Sequence, residues 1–401
     1  MDMERREFMI LLAGASAMTV WPFAGGVQAS QDPQGAKPLV PGPTSKVFLA
    51  GVNKGDDEQA MKLAVRNSAE SVTDFSWLSK GDAVFIKPAA NSGHPYPATT
   101  SPVAIAAMVE LLKEKGAGRV IVGDMSGVQY VRFSPTSLSG SSRKLMEASG
   151  MTKVVQATGA ELNFFEEAGW NAFYEDMPEA GTHWKRPLMM PNILKEVQHI
   201  VLMPRCARHV LAGSTLGLKA AVGYWRHDTR LEYHREAATL QEKTAEGNMV
   251  STLRSKQRLV LSAADKVLTI YGPDNGYVFE PRNGLVIASE SVVAHDMVSL
   301  AWLLENRRIM PQSEKYDFRD SSQWFARLGN RMVVSWLSGW GTAWAAETLT
   351  KNDLNTIWDD RVLIHAYKVF GGVPGVTIET ANKTVPEDLK KRLSEMTAYP
   401  A

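Results

Sequence analysis

Short apolar runs alternate with amphipathic stretches along residues 46–310. Apolar side chains recur on one face of stretches such as 103–115, which predicts helices between the runs. A strand followed by a helix and another strand forms a parallel crossover unit with a right-handed connection. We therefore predict an α/β fold with a largely parallel sheet flanked by helices. Its buried strands are predicted at residues 47–52, 83–87, 120–123, 161–165, 197–203, 266–271 and 284–289.

Residues 311–401 follow a different pattern, in which tryptophans punctuate Gly- and Ala-rich helical stretches. We predict a helical, Trp-rich extension that packs on an α/β domain formed by residues 46–310. The aromatic side chains either fill the contact with the sheet or form a wall for a ring-shaped ligand or a dimer contact. They are Trp324, Trp336, Trp340, Trp344 and Trp358.

The first 29 residues look like an export signal of the twin-arginine type. Arg5-Arg6 precedes an apolar run, and Val27-Gln-Ala29 places small residues at the two positions that determine cleavage. The run is too short, and too rich in Ala and Gly, for a membrane span. We expect export by the twin-arginine translocase to a periplasmic or extracytoplasmic location, the alternative being an uncleaved amphipathic anchor. Residues 30–45, rich in Pro, Gly and polar side chains, are predicted to form a flexible lead-in.

Charge and cysteine content exclude several classes of function. The chain has 44 basic and 43 acidic residues, so nothing favours a nucleic-acid partner or an anionic membrane surface. The single cysteine, Cys206, excludes an intrachain disulfide and an iron–sulfur cluster held by cysteines of this chain. Any divalent metal would therefore have to be bound by His, Asp and Glu.

The segment 205–234 is the densest in candidate chemistry. It combines three of the eight histidines, four arginines and Lys219 with a run of small residues at 212–223. Glycines let the main chain approach a ligand closely, so that N–H groups bind oxyanions and Arg or Lys add charge-assisted hydrogen bonds. We predict a site for a small anionic molecule of the carboxylate type, built around this segment.

Polar side chains also stand where predicted strands end. Lys87 closes one strand, and Asp124 follows the next, each with a polar loop behind it. Because the carboxyl ends of parallel strands share one edge of a sheet, we expect both to meet the segment 205–234. Alternatively, Asp124 and Ser126 only cap the turn that follows the strand. The predicted ligand-binding residues are Lys87, Asn91, Ser126, Arg205, Arg226 and Arg230.

Histidines supply the candidate catalytic and metal-binding groups. His227, Arg230 and His234 have i, i+3, i+7 spacing and share one helix face, which is either a solvated charged face or part of a site. An imidazole suits proton transfer because its pKa lies near neutrality. The predicted catalytic residues are His209, Lys219, His234 and Asp124. The predicted ligands of a divalent metal are His209, His227 and His234, without a short ligand-spacing motif.

Four motifs occur in the order that is typical of one protein family. They are Val84-Phe-Ile-Lys-Pro-Ala-Ala-Asn91, Val120-Ile-Val-Gly-Asp-Met-Ser-Gly127, Gly217-Leu-Lys-Ala-Ala-Val-Gly223 and Ile287-Ala-Ser-Glu-Ser-Val-Val-Ala-His-Asp296. Together they resemble the bacterial and archaeal family called domain of unknown function 362 (DUF362), over roughly residues 80–305. Ala89 and Ala220 stand where relatives often have Asn, and the ferredoxin cysteines of many relatives are absent. The electron-transfer role inferred for those relatives is therefore not expected here.

The Lys219 segment also resembles that of nickel-dependent lactate racemases, whose catalytic domain has a lysine in a Gly/Ala/Pro-rich stretch followed by histidines. This resemblance implies that Lys219 corresponds to the cofactor-bearing lysine. It further implies metal-binding or proton-shuttling roles for His209, His227 or His234.

Three classes of function follow. The first is an exported enzyme, isomerase/racemase-like or metal-assisted, that acts on a small anionic substrate. The second is a non-catalytic periplasmic binding or assembly protein that uses the same cationic pocket. The third is a redox component paired with another subunit, which the missing cysteines disfavour. All three predict that Lys87, Asp124, His209, Lys219 and His234 meet in one cleft.

Overall fold

A computed structural model describes residues 39–314, 322–350, 352 and 354–400. The predicted signal peptide and the first part of the predicted lead-in lie outside these residues. Residues 39–44, the end of that lead-in, are bound to the C-terminal part of the chain. Gly42 N–H donates to the carbonyl of Val373 (2.7 Å), and Val373 N–H donates to that of Val40 (2.8 Å).

Strands and helices alternate along most of the described chain. The strands are β1 (Ser45–Asn53), β2 (Ala83–Pro88), β3 (Arg119–Asp124), β4 (Arg132–Phe133), β5 (Leu138–Ser139), β6 (Glu161–Phe164), β7 (Phe173–Asp176), β8 (Leu188–Pro191), β9 (His199–Met203), β10 (Ala207–His209), β11 (Gly213–Thr215), β12 (Gln257–Ala264), β13 (Val267–Leu268), β14 (Val278–Phe279), β15 (Asn283–Ser289) and β16 (Val376–Thr380). The helices are α1 (Glu58–Val72), α2 (Pro102–Glu114), α3 (Ser142–Ala148), α4 (Met151–Ala157), α5 (Ile193–Glu196), α6 (Gly217–Ala220), α7 (His227–Arg235), α8 (Leu240–Glu246), α9 (Ser251–Lys256), α10 (Val292–Ile309), α11 (Gln323–Ala345), α12 (Arg361–Val369) and α13 (Glu387–Thr397).

The main sheet confirms the predicted α/β class. Its strand order is β16-β1-β15-β12-β9-β2-β3-β6. Neighbours run parallel, except that β15 is antiparallel to β1 and to β12. In the register of β2 with β9, Lys87 lies opposite Leu202. The carboxyl ends of β2, β3 and β9 therefore share one edge of the sheet, where the candidate residues were expected.

Helices cover both faces of the sheet because its central strands are apolar on both sides. All residues of β2 are buried, and alternate side chains enter different clusters of the core. Val84 and Ile86 pack with α1 and α2 on one face, whereas Phe85 packs with Phe165 and Tyr224 on the other. Helix α2 begins at a Ser101 cap, whose hydroxyl accepts from Ala104 N–H.

One predicted strand is misplaced. The apolar run 266–271 contributes only β13 to a small sheet, while β12, which was not predicted, lies between β9 and β15 in the main sheet. Residues 259–264 of β12 are buried, and the polar Ser262 among them is bonded to the imidazole of His295 (3.0 Å). The one polar side chain in the buried part of this strand therefore has a partner, as a hydroxyl in the interior of a sheet requires.

The C-terminal part is helical, as predicted, and it also completes the sheet. Strand β16 pairs in parallel with β1 at the sheet edge, which the helical pattern did not predict. Trp324, Trp340 and Trp344 are 62%, 54% and 66% exposed, so they do not fill a contact with the sheet. A domain boundary at residue 310 remains a prediction, although α10 ends there. In the described part of the chain, no helix has the length and apolar character needed to cross a membrane.

Candidate functional site

A buried ion pair joins the ends of two neighbouring strands. Lys87 Nζ lies 2.8 Å from Asp124 Oδ1 and also donates to the carbonyl of Pro88 (2.7 Å). The backbone N–H groups of Ala90 and Met125 donate to the two oxygens of Asp124 (both 2.8 Å). Burial lowers the pKa of Lys87, and the adjacent carboxylate opposes that shift. The Lys87 charge is therefore matched within the protein.

The segment that carries Lys219 packs directly on this ion pair. A Cβ atom at Gly223 would collide with Asp124 Oδ1 and Lys87 Nζ, so only glycine lets the main chain come this close. The ring of Tyr224 lies 5.1 Å from Lys87 Nζ, a cation–π distance. The strand-end residues and the glycine-rich segment thus adjoin, as their positions at one sheet edge predicted.

Helix α6, which carries Lys219, is held by a carboxylate of this chain. Asp296 accepts from Gly217 N–H (2.8 Å) and Leu218 N–H (2.7 Å). His295 Nδ1 lies 2.8 Å from the same carboxylate. The backbone amides at 217 and 218 are therefore not free to bind an external oxyanion, which corrects our expectation for this run. Side chains are left to bind an anion here.

Lys219 itself has no counterion. Within the described residues, its ammonium makes no hydrogen bond or ion pair, and it lies 5.6 Å from the ring centroid of Tyr233. Burial lowers the pKa of Lys219 to about 7, and repulsion from Arg230, Arg205 and Lys87 adds to the effect. We call Lys87, Arg205, Lys219 and Arg230 the cationic cluster.

Arg205 follows β9 and reaches the loops on either side. One of its terminal nitrogens donates to the carbonyls of Ala98 and Pro273, while its Nε is buried without a partner among the described residues. Burial lowers the pKa of Arg205 to about 10, opposed by Asp274 and Asp124. Arg205 therefore keeps one unused donor inside the protein.

His209 is held in one tautomer by backbone groups. Its Nδ1 accepts from Leu211 N–H (3.1 Å) and Ala212 N–H (3.3 Å). A neutral ring with this pattern carries its proton on Nε2. Burial lowers the pKa of His209 well below its ordinary value, and the charges of Lys219 and Arg205 add to the shift. His209 thus presents an N–H donor rather than a lone pair.

His234 is held in the opposite tautomer. Asn330 Nδ2 donates to the carbonyl of His234, so Asn330 Oδ1 is the atom that faces His234 Nδ1 (both 2.9 Å). Nδ1 therefore carries the proton, which leaves Nε2 with a lone pair in the neutral ring. Burial lowers the pKa of His234 to about 3, with repulsion from Lys219 and Arg230. The two histidines are complementary: one ring offers a donor, the other an acceptor.

Two predicted ligand-binding residues at the ion pair bind the protein itself. Arg230 donates to the carbonyls of Trp225, Ser126, Met125 and Gly223, over 2.7–3.0 Å. Burial lowers its pKa to about 10. The Ser126 hydroxyl donates to the carbonyl of Ala90 (2.6 Å). Arg230 therefore contributes a positive charge, while its donors hold the loops together.

Two more of the predicted ligand-binding residues, Arg226 and Asn91, also make contacts within the protein. Arg226 forms a two-bond ion pair with Asp228 (both 2.9 Å) and stacks on Trp170 (4.1 Å from its charge centre to the ring centroid). Asn91 Nδ2 donates to Asp274, whereas its Oδ1 is buried without a partner in the part of the chain that the structure describes. Arg226 is thus a structural residue in this geometry.

The predicted metal ligands do not converge. His227 Nδ1 accepts from Phe133 N–H (2.8 Å), and burial lowers the pKa of His227 to about 3. Of the described His, Cys, Asp and Glu side chains, the group of three with ligand atoms within 4.8 Å of one another does not contain His209, His227 or His234. The ring nitrogens of these three histidines are instead oriented by separate partners on separate segments.

A family comparison accounts for the order of the motifs. The sequence profile described as Domain of unknown function (DUF362) matches residues 84–301. The chain belongs to this family. The resemblance to DUF362 is thereby confirmed, and the whole cationic cluster lies within the matched residues. No curated protein sequence matches this DUF362 protein significantly.

A likeness also exists to one solved structure, that of the lactate racemase apoprotein from Thermoanaerobacterium thermosaccharolyticum. The sequence identity is 12% and the TM-score 0.37, and the match covers 62% of this DUF362 protein. It spans 54% of the racemase chain. A likeness at this level supports no inference about activity, cofactor or substrate.

Several residues around the site of this DUF362 protein were missed by sequence reasoning. Tyr233 faces Lys219, and Asn330 orients His234 from a helix outside the family match. Asp274 accepts from Asn91, Gln129 and Tyr130. The Pro-Asp-Asn-Gly turn that carries Asp274 was a visible signal, whereas nothing in the sequence links Asn330 to His234.

Proposed function

We propose that this DUF362 protein is an enzyme that binds a small anionic, carboxylate-type molecule at the cationic cluster and moves a proton on it. The observation that carries the proposal is Lys219, which has no counterion among the described residues and is repelled by three further cations. Lys219 is partly buried, and charges that are withdrawn from solvent are normally paired in proteins. A bound carboxylate would supply the missing partner.

The balance of charge supports an anion as the ligand. Asp124 and Asp274 are the carboxylates whose attraction acts on Arg205, and both are already bonded to other groups. The unused Nε–H of Arg205 and the ammonium of Lys219 are donors suited to a carboxylate. An anion bound between them would raise the pKa of Lys219 from about 7 and fix its charge.

The two histidines support proton transfer on that ligand. In the tautomers described above, His234 Nε2 can accept a proton from the substrate and return it, while His209 Nε2–H can donate a hydrogen bond to the negative charge that develops on the substrate. Both rings have lowered pKa values in the free protein. A bound anion would raise them, because a nearby negative charge favours the protonated ring. This arrangement favours an isomerase- or racemase-like reaction at a carbon next to a carboxylate. Asp124 then acts as a positioning residue for Lys87.

A non-catalytic binding protein is the second candidate. The observation that favours it is the low pKa of His234, about 3, which makes the free ring a weak base. The same cluster would then bind an anion without changing it. Export by the twin-arginine translocase, inferred from residues 1–29, belongs to either proposal and is tested by fractionation of the native host.

Binding and chemistry are separated by one pair of measurements. Purified protein is titrated with a panel of small hydroxy acids and dicarboxylic acids, and NMR in D₂O follows exchange of the proton next to the carboxylate. Binding with catalysed exchange supports the enzyme, and binding without exchange supports the second candidate. Absence of binding to every anion would overturn both.

Lys195 provides a matched control for Lys219. It is an exposed lysine that also lies over a tyrosine ring, 4.2 Å from the centroid of Tyr174. Lys219→Met should weaken ligand binding by about 10–100-fold, and Lys195→Met should leave it unchanged. Equal loss in both variants would contradict a specific role for Lys219.

A further inference from the structure

Three side chains from distant parts of the chain meet away from the cationic cluster. They are His183, in the loop between β7 and β8, Glu246, at the end of α8, and His365, in α12. His183 Nδ1 lies 2.5 Å and His365 Nε2 lies 2.8 Å from Glu246 Oε1. The three ligand atoms all lie within 4.8 Å of one another. We call this the His–Glu–His group; it shares no residue with the cationic cluster.

We propose that the His–Glu–His group is a binding site for a divalent metal ion of the zinc class. Two imidazole nitrogens and one carboxylate oxygen form a ligand set that Zn²⁺ prefers, and sites with three protein ligands keep a fourth position for water or substrate. This proposal is independent of the proposed function. It assigns the metal to residues other than the histidines predicted from the sequence.

The loop before His183 is built to wrap around the Glu246 carboxylate. Gly181 has φ +100°, a conformation that favours glycine, and a Cβ atom there would collide with the Glu246 side chain. Thr182 N–H donates to Glu246 Oε1 (3.1 Å) and His183 N–H donates to Oε2 (3.0 Å). Backbone donors that orient a ligating carboxylate are typical of the surroundings of a metal site.

Two of the three ligands are held by packing, and the third is open to solvent, so that an ion can reach the site. The Glu246 side chain is 1% exposed and that of His365 is 12% exposed, so two ligands are anchored by packing. The His183 side chain is 30% exposed and comes from a loop, which leaves an approach from solvent. Helices α8 and α12 pack on each other and fix the relative positions of Glu246 and His365.

Only small movements separate the present contacts from coordination. Ligand atoms at about 2.0–2.1 Å from a tetrahedral Zn²⁺ lie about 3.3 Å apart. The two nitrogen–oxygen contacts, now 2.5 and 2.8 Å, would have to lengthen by less than about 1 Å. The ion would replace the protons that the imidazoles now share with the carboxylate.

The competing explanation is a hydrogen-bonded clip in which the imidazoles only tie the loop and α12 to Glu246. The test is calorimetric titration of the chelator-treated full chain with Zn²⁺, together with the visible spectrum of the Co²⁺ form. The proposal expects one ion per chain and Co²⁺ bands of a low-coordinate site. The affinity for both ions should fall more than about tenfold in His183→Ala and in His365→Ala, because loss of a residue that only supports a ligand already costs about 10–100-fold in metal affinity.

A histidine–carboxylate pair elsewhere in the chain is the control. His199 Nε2 lies 3.0 Å from Asp82 Oδ2, and no third His, Cys, Asp or Glu of the described residues joins this pair at metal-ligand spacing. His199→Gln should bind Zn²⁺ like the unaltered protein. Absence of stoichiometric binding, or equal binding by the His183 and His365 variants, would overturn the proposal. Because His183 is partly exposed, its variant should fold, which circular dichroism checks.

Discussion

Two lysines in neighbouring parts of the fold, Lys243 and Lys219, differ in whether a carboxylate balances their charge. Lys243 is fully buried and lies 2.5 Å from Glu236 and 3.9 Å from Glu232. Burial raises the pKa of Glu236, but hydrogen bonds from Lys243 and Arg235 outweigh it and lower that pKa to about 2. Lys219 has no carboxylate partner among the described residues, and its pKa falls to about 7. The fully buried and matched charge of Lys243 is structural, whereas the partly buried and unmatched charge of Lys219 marks a place for a ligand.

The largest expected effect is on stability, at the matched lysine. Lys243→Ala leaves the buried Glu236 without its nearest cation, so the free energy of unfolding should fall by about 3–5 kcal/mol. Urea denaturation followed by circular dichroism measures it. Lys243→Ala combined with Glu236→Gln should recover part of the loss. A loss of stability below about 1 kcal/mol would mean that the matched charge of Lys243 is not structural and would contradict the comparison with Lys219.

The second effect is on ligand binding, at the unmatched lysine. Lys219→Met should weaken binding of the anion found in the titration panel by about 10–100-fold, the value of a charge-assisted hydrogen bond. Its fold should be as stable as the unaltered protein or more so. The folded lysine releases its proton near pH 7 and the unfolded lysine only near its ordinary value, so the penalty of burying the charge is fully present below pH 7. Marked destabilisation below pH 7 would contradict this.

The third effect is the pH dependence of binding. Because anion binding requires the charged form of Lys219, whose pKa is about 7 in the free protein, affinity should fall as pH rises above 7. The fall should approach tenfold per pH unit, with uptake of about one proton on binding. Calorimetry in buffers of different ionisation enthalpy counts that proton. Affinity that is constant from pH 6 to 9 would show that Lys219 does not bind the anion.

A smaller effect is expected at the residue that orients His234. Asn330→Ala should slow proton exchange about tenfold and change ligand affinity little, since the ring loses the acceptor of its Nδ1–H (a buried hydrogen bond is worth about 1–3 kcal/mol). Asn330→Asp keeps an acceptor and adds a negative charge, so its pH profile of exchange should move to higher pH. Identical profiles in both variants would leave Asn330 a packing residue.

The smallest effect is expected at Arg186, a largely exposed residue near Lys243. The Arg186 side chain is 56% exposed and pairs with Glu232 at 2.8 Å. Arg186→Ala should cost less than about 1 kcal/mol of stability, because the guanidinium is largely exposed and the buried Glu232 keeps Lys185 N–H and Lys243 as partners. Urea denaturation beside Lys243→Ala gives the comparison. A similar loss in both variants would mean that burial does not separate their roles.

Sequence patterns predicted much of the fold and part of the site. The strand-end positions of Lys87 and Asp124 followed from two apolar runs, and parallel pairing brought them within 2.8 Å. The run 266–271 was misread as a strand of the main sheet, and the equally apolar β12 was missed; its polar Ser262 is bonded to His295. Helix periodicity placed His227 and His234 on one face with Arg230, yet their partners are Phe133 N–H and Asn330.

What the sequence alone determined is the class of fold, the family and the types of side chain that stand at the strand ends. These depend on local patterns: the periodicity of apolar residues and short motifs. The tertiary structure decided which charges are matched. Lys243 pairs with Glu236, seven positions away on an adjoining helical segment, whereas Lys219 has no carboxylate partner among the described residues. The partners of His183 and His234 come from residues far along the chain. Charge matching depends on distances across the fold, which the order of residues does not specify.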